Sequence, residues 1–135
     1  MHIATIFFKF ELMIDQNKNN EPLDLSYLRE MSGDSNDFMI EMLNAFLKQT
    51  PIYMADLENA IIAEDWKATS ECAHKIKPTF YYIGREDAKE HMQVMEQNAR
   101  ELIDVEHIPA AFEETKAFVK RLYGQLEEAK AELLK

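Results

Sequence analysis

Glycine and proline are scarce, three and four in a chain of 135 residues. With so few places to turn, a fold of many short strands and tight turns is excluded, and few long elements are expected. Cysteine is almost missing. Cys72 stands alone, which rules out an intrachain disulfide and any two-cysteine metal site and fits a reducing, cytoplasmic compartment. Positive charge is also short: 15 Lys and Arg against 25 Asp and Glu leave a net charge of −10. That balance disfavours nucleic acid as a partner, because phosphate backbones attract basic surfaces. No apolar run reaches the roughly 20 residues that a membrane span needs. Residues 3–8 come nearest, and Lys9 and Glu11 cut them off. The early positive charge and small-residue cleavage site of a secretory signal are missing too.

What is present is ordinary for a folded soluble domain, 47% hydrophobic and 30% charged residues in a length that suits one core, and a monomer is expected. Eight methionines beside many Leu, Ala, Glu and Lys favour helices. Residues 1–22 read as an N-terminal tail and linker. The apolar 3–8 stretch is read as a packing tail in preference to an extra strand or sequence upstream of a start at Met13. The polar run from Asp15 to Glu21 is read as the linker. Residues 23–135 form the domain.

Within it, residues 23–30 suit a short helix, followed by a turn at Ser32, Gly33 and Asp34. A long helix should start at Ser35 or Asn36, with Pro51 as a kink. A second should run from Trp66, capped by Asp65, to a break at Gly84. The third should run from Glu86 to Ile103, with Ala88, Met92, Met95, Ala99 and Leu102 on one face. After a loop at 104–108, Pro109 suits the first turn of the last helix. That helix carries Phe112, Thr115, Val119, Leu122, Leu126, Ala129 and Leu133 at alternating spacings of four and three. The fold class is therefore all-α, an antiparallel four-helix bundle with a short extra N-terminal helix.

One histidine stands apart. On the second long helix Thr69, Cys72, Ala73, Ile76, Phe80 and Ile83 fall within roughly 50° of one direction, and His74 lies about 140° from it. His74 therefore faces solvent beside Lys67, Ser70, Lys77, Pro78 and Tyr81. A solvent-facing imidazole is largely neutral at pH 7, with one nitrogen free to attack. A phosphoryl group placed there needs a cation, and Lys77 at i+3 can reach it. Five basic and three acidic residues between Lys67 and Lys89 give +2 locally, leaving −12 for the rest of the chain. Such a surface suits an acidic partner site or a bound phosphate. The Glu71-x-x-His74 spacing also occurs in di-iron bundles, but those need a second such pair and further inward glutamates, so no metal is expected. His91, bordering a core face, and His107, in a loop, read as structural or incidental, and His2 lies in the tail.

The stretch from Ala73 to Gly84 resembles the signature of histidine-containing phosphotransfer (HPt) domains. That signature is a histidine, any residue, an aliphatic, a lysine, then small residues, with an aliphatic–glycine pair ending ten positions after the histidine. His74, Ile76, Lys77, Ile83 and Gly84 match in place, and the helix order matches from about residue 23 onward. The resemblance implies a phosphocarrier without an ATP site and not an enzyme. It would relay phosphoryl groups between receiver-domain aspartates in a two-component phosphorelay, with response-regulator receivers and a hybrid sensor histidine kinase as partners. It implies His74 as the phosphorylated residue, Lys77 as phosphate stabiliser, Glu96 as ring-orienting group, and no cofactor beyond the Mg²⁺ of the receiver. Partners would meet Ser70, Pro78 and Tyr81. A start at Met1 and no trace of a kinase domain favour a free-standing shuttle. Pro78 stands where the family has glycine, and Tyr81 and Tyr82 replace small residues, so the docking geometry is expected to differ. The rival reading is a helical adaptor that binds a signalling protein without chemistry.

Overall fold

The computed structural model describes residues 14–135, so the readings of His2, of residues 3–8 and of Met13 fall outside it. Helices α1 (Ser26–Met31), α2 (Asn36–Ile62), α3 (Trp66–Tyr82), α4 (Glu86–Glu101) and α5 (Ile108–Leu133) follow one another with short connections, and no strand occurs among the described residues. The four long helices form the expected bundle, with α3 and α4 the most closely paired, α2 beside α3, and α5 closing the ring.

Local chemistry sets the helix starts. Ser35 accepts a hydrogen bond from Phe38 N–H at 3.1 Å and Asp65 from Ala68 N–H at 3.1 Å, each satisfying an orphan amide of the first turn. Pro109 sits in the first turn of α5, where its missing N–H is no loss. Helix α1 starts later than expected because Asp24 holds Ser26, accepting from its N–H and its hydroxyl at 3.0 and 2.6 Å. Pro51 lies inside one unbroken helix, as does Pro78.

The core runs the length of the bundle. Leu28, Leu43, Leu57, Ile76, Phe80, Met92, Met95, Phe118 and Leu122 are all but sealed from solvent, and Phe80 meets Phe118 edge to face at 5.1 Å. Two expectations fail. Leu102, expected on the core stripe of α4, lies beyond the helix end in left-handed backbone and is 66% exposed. The chain leaves the helical path after Glu101, so the stripe cannot be extended to it.

The second concerns the polar run from Asp15 to Glu21. It is not a free linker but a 3-10 turn (Gln16–Asn20) docked on the bundle. Buried Arg85 reaches it from the α3–α4 connection, donating to Asn19 Oδ1 at 2.8 Å and to Asp15 O at 3.1 Å. Gln125 of α5 donates to Lys18 O and Glu21 O, and Ile14 enters the core. Polar side chains here do what an apolar stripe does elsewhere, by satisfying backbone groups in a dry place.

Candidate functional site

Helices α3 and α4 lie side by side, and each presents a short polar row to the other. On α3 the row is His74 and Lys77, three residues apart; on α4 it is Gln93, Glu96 and Arg100, at spacings of three and four that keep one face. Glu96 is buried at the seam and holds three cationic or ring groups at once. Its Oε2 is 3.0 Å from His74 Nδ1 and 3.3 Å from Arg100 Nη1, and its Oε1 is 2.5 Å from Lys77 Nζ. Lys77 also donates to Gln93 Oε1 at 2.8 Å.

Burial opposes the ionisation of Glu96, but Lys77 first and then His74 outweigh it and hold the carboxyl below its ordinary value of 4.5. At neutral pH the carboxylate can only accept, so the shared proton sits on His74 Nδ1. Nε2 then keeps its lone pair, on an imidazole whose side chain is 68% exposed. A buried anion fixing the tautomer of an exposed ring makes a positioned nucleophile.

The other expected residues are scattered around this centre. Ser70 is nearly buried yet lines the cleft beside His74, a place the helical wheel had turned outward. Pro78 is exposed. Tyr81 is partly occupied: its ring meets Tyr27 at 4.8 Å and lies under Lys89 Nζ at 5.8 Å, while Tyr27 also stacks on Tyr82. Lys67, Lys75, Arg100 and Leu102 share with His74 and Glu96 a cleft of about 760 Å³. Gln93 and Arg100 were not foreseen. Their spacing about Glu96 could have found them once Glu96 was placed, since i−3 and i+4 share its face.

Both Glu71 and His74 are exposed, so their di-iron-like spacing does not face the bundle interior. His91 is fully buried, one ring nitrogen 3.0 Å from Ala111 O. Among the described residues Asp104, Glu106 and His107 bring three potential metal-ligand atoms together at the 3-10 turn Val105–His107 and the residue that precedes it, with no fourth donor in the group.

The family model of the Hpt domain matches residues 41–132, which is most of the chain and contains both polar rows. The chain belongs to the Hpt domain family. No curated protein and no solved structure matches it. Hpt domains are phosphocarrier domains that work with receiver domains and kinases in phosphorelays. Their helical bundle is the architecture seen here, and no helix among the described residues is long and apolar enough to cross a membrane. In this Hpt domain the matched segment begins inside α2 and ends inside α5, so the docked 3-10 turn and α1 lie outside it.

Proposed function

We propose that the chain accepts a phosphoryl group on His74 from the aspartyl phosphate of one receiver domain and passes it to the aspartate of another. The observation that carries this reading is the buried Glu96 carboxylate on Nδ1 of an exposed imidazole. In the forward step the Nε2 lone pair attacks phosphorus, an N–P bond forms, and the acyl-phosphate O–P bond breaks with its electrons returning to the receiver's carboxylate. Nδ1 keeps its proton throughout. The ring then bears positive charge, which Glu96 offsets from behind. The reverse step restores the free imidazole and a new acyl phosphate.

Lys77 lies within one helical turn of His74 and can meet the incoming phosphoryl oxygens as a cation. Arg100, on the other side of Glu96, supplies a second. Transfer then depends on positioning and electrostatics more than on proton movement. The Mg²⁺ of the reaction belongs to the receiver. Ser70, Pro78 and Tyr81 flank the histidine as docking positions. We place the chain in the cytoplasm as a monomer, since its partners exchange phosphate there and one exposed histidine suffices for the relay.

The test is direct. Incubation with a receiver domain phosphorylated on its aspartate should leave acid-labile, base-stable phosphate on the wild type and none on His74→Gln. An unlabelled wild type that still binds the receiver would favour a plain adaptor. Equal labelling of both chains would move the site elsewhere.

A further inference from the structure

Four helix ends close in the same way, with a left-handed residue followed by an N–H that reaches back five positions. Asp34 N–H donates to Arg29 O at 3.0 Å, Asp65 to Ala60 O at 2.9 Å, Arg85 to Phe80 O at 2.9 Å, and Ile103 to Asn98 O at 3.0 Å. The left-handed residues are Gly33, Glu64, Gly84 and Leu102, with φ of 63°, 54°, 78° and 57°. Glycine is the usual occupant, because a Cβ in this conformation crowds the following carbonyl. Among the described residues Leu102 is the one apolar side chain in left-handed backbone.

Leu102 is also 66% exposed. Two unfavourable choices therefore meet at one position, a crowded backbone and a large apolar group held in water. Either would be relieved by glycine. Its location gives the pair a meaning. Leu102 borders the same cleft as His74, and three cations (Lys67, Lys75, Arg100) against two carboxylates (Glu71 and the buried Glu96) leave that cleft net positive on a chain whose net charge is −10. An apolar knob at the rim of a net-positive cleft fits a partner that offers an apolar spot beside an acidic pocket. A receiver domain has such a pocket, since it must hold Mg²⁺ next to its phosphorylated aspartate.

We propose that Leu102 is a docking residue for the receiver domain, kept in strained backbone so that its side chain stands at the rim of the His74 cleft. The proposal rests on the phosphotransfer reading and adds a residue that the sequence had assigned to the core.

Leu102→Gly separates docking from fold and from histidine reactivity. It should raise the thermal midpoint by about 3 °C, as strain is released. With a receiver domain phosphorylated on its aspartate as donor, the half-saturating receiver concentration should rise about tenfold. The rate at saturation should hold, and so should direct phosphorylation of His74 by phosphoramidate, which needs no docking. Leu102→Met, which restores an apolar side chain, should return half-saturation to within about threefold of wild type. A Leu102→Gly chain with a raised midpoint and wild-type half-saturation would overturn the proposal, because the strain would then serve no partner. A lowered midpoint would overturn its premise. A wild type that takes phosphate from no receiver defeats the phosphotransfer reading itself, an outcome distinct from the other two.

Discussion

At the scale of single residues, the polar rows of the candidate site converge on one buried carboxylate. Glu96 is shared by His74, Lys77 and Arg100, so each neighbour acts partly by holding the others in place. Lys77→Ala should slow phosphoryl transfer about 100-fold, the scale of removing one preorganised charge from a transition state. It should do so in a folded chain, verified by helical circular dichroism, and unchanged transfer would show that Arg100 alone supplies the cation. A second prediction concerns acid. The folded carboxyl titrates below the ordinary 4.5, so Glu96 stabilises the fold above that pH, and this contribution is lost as pH falls through the folded value. Wild type should therefore exceed Glu96→Gln in urea stability at pH 7, and the gap should narrow when both are measured near pH 3. A gap that widens in acid would mean that the buried charge destabilises the bundle. His74 and Lys77 were legible from one helical wheel and one spaced motif, and Glu96 from the motif's family. Gln93 and Arg100 were not, because a wheel fixes directions within one helix and says nothing of how its neighbour is rotated.

At the scale of elements, the starts of the long helices were legible and the helix ends less so. Ser35 and Asp65 declare their roles by side-chain chemistry, and Pro109 by its missing N–H. Leu102 carries no such sign, and the apolar periodicity of α4 invited the helix to continue through it. The ends also differ in how much they tolerate. Gly84 has φ of +78°, and a Cβ there would stand 2.5 Å from Asp24 O. Gly33 has φ of +63° but open space around it. Gly84→Ala should thus cost about 3 kcal/mol, combining backbone strain with a collision that displaces the segment before α1, whereas Gly33→Ala should cost only about 1 kcal/mol. Equilibrium urea unfolding of the two variants decides it. Equal losses would show that the Asp24 segment moves aside freely, and that the close approach at Gly84 is not needed to hold α1 over the Tyr81–Tyr82 pair.

At the scale of the whole molecule, the bundle was predictable and its N-terminal attachment was not, for a physical reason. The four helices bury apolar stripes, which leave a period in the sequence. The 3-10 turn is held by single polar contacts from distant positions, which leave none. Arg85 is 3% exposed; it pairs with Asp87 at 2.9 Å, lies 4.6 Å from the Phe118 ring centre, and reaches Asn19 and Asp15. Arg121 meets Asn19 and Asn20 from α5. A chain beginning at residue 23 would keep every helix yet strip Arg85 of two partners, free Gln125, and uncover the pocket of Ile14. Leaving buried polar groups unmet costs roughly 1–3 kcal/mol each, and part of that is recovered from water once the strap is gone. The shortened chain should therefore fold with about 3 kcal/mol less stability in urea. Its phosphorylation by phosphoramidate should match the full chain, because Arg85 lies beyond the end of α3 at Tyr82, a helix that runs on for about 12 Å past His74 before the chain turns away. Undiminished stability would return residues 15–21 to the status of a linker. Lost phosphorylation in a folded chain would show instead that the strap reaches through α3 to the histidine.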